Sequence, residues 1–127
     1  MNKRNMNTLA NRLEKEEFPK GIDGFCMRWW CERRPSCGTL ACIGGIADTL
    51  FKKAGVDALG LDEYQADALF FGEWGPFGDN IPFNAEPLKD ATAQQGAQAV
   101  RNMIEDPAGD PWRHMRKPSK KWLKYNT

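Results

Sequence analysis

The sequence predicts an all-α fold: a single domain of four main helices with long irregular, aromatic-rich loops and a basic C-terminal tail. Three observations carry that prediction. Apolar residues recur at helical spacing in four stretches, residues that start and stop helices bracket those stretches, and no two segments alternate as a half-buried strand pair would. With 127 residues, seven Phe and five Trp, the chain can bury one core.

Met6, Leu9, Ala10 and Leu13 predict the first helix, with Asn5 or Asn7 as cap and Pro19 and Gly21 to stop it. From residue 22 to 35 no period holds, so "FCMRWWCERRP" reads as a loop or short extended segment. The second helix is expected to begin near Ser36 or Thr39 and run to Gly55. Leu40, Ile43, Ile46, Ala47, Leu50 and Ala54 form its buried stripe, and Lys52 and Lys53 suit its C-terminal dipole. Asp62 with Gln65 three residues on is a capping-box variant, opening a third helix that ends at Gly72. Gly75, Pro76, Gly78 and Pro82 then enforce a long loop, pinned to the core by Trp74, Phe77, Ile81 and Phe83. Ala93, Ala97, Val100 and Ile104 predict a fourth helix over residues 90–104, ended by Pro107 and Pro111. The organisation is therefore a helical domain over 1–110 and a basic aromatic tail over 111–127. Its core is expected to hold Leu13, Ile43, Leu50, Leu69, Val100 and Ile104.

The net charge of +1 hides an uneven distribution: residues 1–55 carry net +4, residues 56–110 net −9 and residues 111–127 net +6. An acidic middle between basic ends neutralises itself on folding, or each end serves a partner of opposite sign. The N-terminal stretch lacks the apolar run of a signal peptide, and no segment approaches a membrane span. A place in the cytosol and no membrane partner are the expectations. Four cysteines in that reducing compartment read as free thiols or metal ligands before they read as disulfides.

The segment "SCGTLACIGGIA" is the most distinctive in the chain, and three chemistries compete for it. Cys26, Cys31, Cys37 and Cys42 could hold structural zinc, although C-x4-C-x5-C-x4-C lies at the edge of the usual spacing. Cys37 at a helix N-terminus would be a thiolate nucleophile, with His114 the sole imidazole in the chain to serve as its base. Alternatively, Ala41, Gly44, Gly45, Ala47 and Asp48 leave a bare helix face against which another element packs, with the cysteines acting as small buried hydrophobes. Glycine in a helix costs about 1 kcal/mol relative to Ala and asks for such a reason.

Two basic regions suggest ligands. Arg28, Trp30, Arg33 and Arg34 precede Ser36, Cys37, Gly38 and Thr39, a set able to hold a phosphate or nucleotide if a helix starts there. In the tail, Arg113, Arg116, Lys117, Lys120, Lys121 and Trp122 interleave bases with aromatics, as single-strand nucleic-acid binders do. The bland readings are solvated arginines and a solvated charged tail.

"FCMRWW", "CGTLACIGGIA", "LGLDEYQADALFF" and "WGPF" together resemble small uncharacterised proteins encoded by tailed phages and bacteria. Those proteins share a Cys-Gly-Thr-x-x-Cys-Ile-x-Gly segment. The likeness spans about residues 25 to 105. Cys26 and Cys31 lie outside the recurring motif, Gly75 intervenes before Pro76, and the basic tail lies beyond it. The resemblance implies a helical protein of phage or prophage context with no established activity and no catalytic residues to carry across. The expected function is that of a non-enzymatic accessory protein in the host cytosol, one that needs no cofactor. It would bind a host protein or a small anionic ligand such as a nucleotide, with counter-defence as its role. The alternatives are a Cys37-dependent enzyme and a nucleic-acid binder acting through the tail.

Overall fold

The computed structural model describes residues 1–27, 31–34, 38–72, 83–84, 90–115 and 117–118. Along the chain these form α1 (Lys3–Glu14), β1 (Gly24–Phe25), β2 (Cys31–Arg34), β3 (Gly38–Ala41), α2 (Ile43–Phe51) and α3 (Gly55–Leu59). They continue with α4 (Glu63–Phe71), β4 (Phe83–Asn84), α5 (Ala93–Glu105) and β5 (Lys117–Pro118).

The fold is mainly helical, but it is not all-α. β1 pairs in parallel and β2 antiparallel with the central β3, giving the order β1-β3-β2, while β4 and β5 form a separate antiparallel pair. The expectation that no strands pair is thus overturned. These strands are two to four residues long, too short to show alternation in the sequence.

α1 buries Met6, Leu9, Ala10 and Leu13 as its spacing predicts. Its N-cap is Asn2 rather than Asn5 or Asn7: Asn2 Oδ1 accepts the Asn5 backbone N–H at 3.1 Å, satisfying a donor that has no partner inside the helix. The Asn5 side chain instead donates to the Ala58 carbonyl at 2.7 Å, and the Asn2 N–H donates to the Leu59 carbonyl at 2.8 Å. The start of α1 is therefore tied to the end of α3. There Gly60 holds φ +65, and a Cβ on it would sit 2.9 Å from the Asn2 nitrogen.

α1 also packs along α5. Arg101 Nη2 donates to Asn11 Oδ1 at 3.1 Å and to Glu14 Oε2 at 2.9 Å, and Gln94 Nε2 donates to the Glu14 carbonyl. Around this pair the core gathers Ile43, Ile46, Leu59, Leu69, Val100, Met103 and Trp112, all fully buried. Leu50 and Ile104, expected inside, are only partly buried against it. Phe25 of β1 reaches α5, where a Cβ at Gly96 would lie 2.9 Å from its ring.

The second helix begins at Ile43, with Cys42 as N-cap, and not near Ser36 or Thr39, because residues 38–41 are strand. It ends at Lys52 in the left-handed conformation, and Gly55, expected as its stop, opens α3. The bare face of α2 is covered by this short helix. A Cβ on Gly55 would lie 2.9 Å from Ala47 Cβ, 3.1 Å from Asp48 Oδ1 and 3.3 Å from the Gly44 carbonyl oxygen.

After α5 the chain folds back. Trp112, which the sequence assigns to a basic tail, has no exposed surface, and its indole N–H donates to the Leu69 carbonyl at 2.9 Å. Asn102, also buried, donates to the Pro111 carbonyl at 2.9 Å and accepts from Gln98 Nε2 at 2.8 Å. Leu88, Lys89 and most of the expected aromatic loop, including Trp74, Phe77 and Ile81, lie outside the described residues.

The α2–α3 contact leaves no room for a methyl group. Gly55→Ala should lower the free energy of unfolding by about 1–3 kcal/mol through overpacking. That exceeds the fraction of about 1 kcal/mol that Ala contributes over Gly at a helix end. Urea denaturation measures this, and an unchanged or raised midpoint would show that the two helices separate freely.

Candidate functional site

The described residues enclose a groove of about 450 Å³ between the end of α2, the start of α3 and one face of α4. Three local features build it. The Asp48 carboxylate accepts the Gly55 backbone N–H, which fixes the turn between α2 and α3 and places Ala54, Gly55 and Val56 along one wall. Asp62 and Gln65 then form a full capping box, Asp62 Oδ1 accepting the Gln65 N–H at 2.8 Å and Gln65 Oε1 accepting the Asp62 N–H at 3.0 Å. That start sets the rotation of α4. Glu63, Ala66, Asp67 and Phe70, at i, i+3, i+4 and i+7, therefore share one face and form the other wall, with Phe71 beside them.

The groove is carbon-lined, by Ala54, Val56, Ala66, Phe70 and Phe71, and rimmed by the carboxylates of Asp48, Glu63 and Asp67. Phe70 is buried, whereas Phe71 is 58% exposed, and Tyr64, seven positions earlier on α4, is 84% exposed. Sequence reasoning passed over these residues. The available signal was that "EYQADALFF" carries apolar side chains on more than one side of its helix, which a helix with a single buried stripe does not.

The structure redistributes the residues expected to form a site. Arg28, Trp30, Ser36 and Cys37 lie outside the described residues. The backbone of β2 sets Arg33 opposite Thr39 and Arg34 opposite Gly38. Thr39 supplies no helix N-terminus for an anion: it is in a strand, and its N–H donates to Asp23 Oδ2 at 2.8 Å, so a carboxylate already holds that donor.

The cysteine at the helix N-terminus is Cys42, not Cys37, and it is 3% exposed. Burial pushes its thiol up, against the opposing pull of the Gly45 and Gly44 amides. A buried, protonated thiol is the reverse of what a nucleophile needs. Cys26 is a half-buried free thiol. Cys31 places its backbone opposite Ala41, and with Cys37 undescribed the four-cysteine zinc set is not assembled among the described residues.

His114 is no free base either. Its Nε2 donates to the Gln95 carbonyl and its Nδ1 accepts from Asn102 Nδ2, both at 3.0 Å, while the ring stacks on Trp112 at 5.9 Å. In the tail, the Arg113 side chain donates to the Asp110 carbonyl at 3.1 Å, and the backbone of Lys117 pairs with Asn84. Arg116, Lys120, Lys121 and Trp122 lie outside the described residues. No helix among the described residues is long and apolar enough to cross a membrane.

Comparison with known proteins finds no match among protein-family models, curated proteins or solved structures.

Two measurable consequences follow from these environments. Burial holds His114 below its ordinary value of 6.5, outweighing the Gln95 carbonyl and the Asp110 charge, which favour the charged ring. The unfolded chain thus takes up this proton first, so the contribution is intact above about pH 6.5 and is lost as pH falls through and below that value. Protonated Nδ1 would also face the Asn102 amide donor. Denaturation midpoints should therefore drop between pH 7.5 and pH 5, and drop less in His114→Gln; equal drops would remove His114 from the account. For the thiols, iodoacetamide labelling of the native protein with peptide mapping should modify Cys26 well before Cys42. Equal rates would mean that the N-terminus of α2 opens readily.

Proposed function

We propose that this protein acts by binding another protein through the groove between α3 and α4, as a phage or prophage accessory protein in the host cytosol. The observation that carries the reading is Phe71, a large apolar side chain 58% exposed at the groove beside the buried Phe70. Burying an aromatic of that size contributes about 1.5–3 kcal/mol, and a few such anchors dominate most protein interfaces. A bacterial host protein is the partner, and disabling it is the counter-defence role. The small-anion reading loses the helix N-terminus on which it relied, because β3 occupies that place and Asp23 takes the Thr39 amide.

The full chain, immobilised beside its Phe71→Ala variant, provides the test against host lysate. A host protein captured by the parent should be lost or reduced at least tenfold with the variant, while the variant keeps its melting temperature, since a mostly exposed ring adds little to the fold. Equal capture by both would move the binding surface elsewhere.

A further inference from the structure

The groove has a chemical preference that its shape alone does not reveal. Its lining carries Glu63 and Asp67 from α4 and Asp48 from α2; Lys52 and Lys53, at the end of α2, form no ion pair with Glu63 or Asp67, and residues 54–88 contain no Lys or Arg. Among the described residues no ion pair reaches Glu63 or Asp67, and the Arg101–Glu14 pair joins α1 to α5. Glu63 and Asp67 stand at i and i+4 on one helix face, a spacing at which like charges repel.

We infer that the segment seated in this groove is cationic and amphipathic: an apolar side chain rests against Phe70 and Phe71, and flanking Lys or Arg residues meet Glu63 and Asp67. This rests on the protein-binding reading above and adds the partner's chemistry to it. The alternatives fail on electrostatics. A neutral apolar segment would strip water from the rim carboxylates and return nothing, and an acidic one would add repulsion. A basic segment relieves the Glu63–Asp67 repulsion, and its attraction reaches about 8–10 Å into solvent at ordinary ionic strength, so it speeds encounter as well as holding the complex. Helical partners commonly enter such grooves through apolar residues at i, i+3, i+4 and i+7, and this groove lies between helices.

Two synthetic amphipathic peptides of equal length test the inference, each with Leu and Phe on one face, one flanked by Lys and the other by Glu. Binding to the full chain is followed by fluorescence anisotropy, and the site is located by backbone amide shifts. The Lys peptide should bind, perturb amides of α3 and α4, and weaken about tenfold in the double variant Glu63→Gln/Asp67→Asn and again at high salt. The Glu peptide should not bind. Equal binding of the two peptides, binding by neither, or shifts confined to other elements would overturn the proposal. So would stronger peptide binding by Lys120→Gln/Lys121→Gln, which would make the chain's own basic tail the competitor and occupant.

The lysate experiment separates this proposal from the one beneath it. A host protein retained by Glu63→Gln/Asp67→Asn but lost by Phe71→Ala leaves the protein-binding reading in place and removes the cationic one. Retention by both variants removes both.

Discussion

The placement of α4, and with it the groove, depends on Trp112. Its indole is fully buried, and its N–H meets the carbonyl of Leu69, which lies in the last turn of α4 where carbonyls have no partner within the helix. One contact thus joins the largest apolar burial in the core to the satisfaction of an orphan acceptor. An indole N–H left unpaired at such depth costs about 1–3 kcal/mol, so the ring is held in position as well as in the core. Asp110 Oδ1 accepts the Trp112 backbone N–H at 3.0 Å, Asn102 holds the Pro111 carbonyl, and His114 stacks on the indole. The chain after α5 is therefore a clasp: it ties α5 to α4 through Asn102 on one side and the Trp112 indole on the other.

What the sequence made legible follows from how local each signal is. The Asp62–Gln65 capping box and the Gly72 stop are contained within eleven residues, and α4 lies where they put it. The same logic at Thr92 and Gln95 was available for α5 but was masked by Asp90, which looked an equally good start. Strand pairing is a property of two segments at once. Arg33 opposite Thr39 and Phe83 opposite Pro118 leave no trace in either segment alone, so residues 38–41 read as the front of a helix. Trp112 was misplaced for a related reason: surrounded by Arg113, Arg116 and Lys117, it took on the character of its neighbours, whereas only the fold shows an indole turned inward.

From Gly38 onward the segment "SCGTLACIGGIA" divides between a strand and a helix, and that division accounts for several of its small residues. Gly38, Thr39, Leu40 and Ala41 form the central strand of a sheet, while Gly44 and Ala47 leave α2 narrow where Gly55 of α3 meets it. Gly24, the register partner of Leu40 on the neighbouring strand, is also crowded: a Cβ there would fall 2.8 Å from Leu40 Cδ2. Small residues here serve close approach, of α3 to α2 at Gly55 and of the Leu40 side chain to β1 at Gly24. The Cys42 thiol, buried at the junction and driven toward its protonated form, behaves as part of that packing.

Packing explains this segment but not the outer surface of α4. Nine residues long, α4 turns Ala68, Leu69 and Phe70 inward and leaves Tyr64 and more than half of Phe71 exposed. A single exposed aromatic is ordinary on a protein surface and calls for no purpose. Phe71, however, borders a carbon-lined groove whose Glu63 and Asp67 enter no ion pair among the described residues, a joint arrangement that core packing does not require. Replacing Tyr64 by a polar residue would cost the fold little, because at 84% exposure it has little burial to lose. Trp112 bonds to the last turn of α4, so the helix that forms one wall of the groove is anchored to the core. A partner binding there pays little ordering entropy on this side of the interface, and such preorganisation lets a modest apolar contact become a specific one.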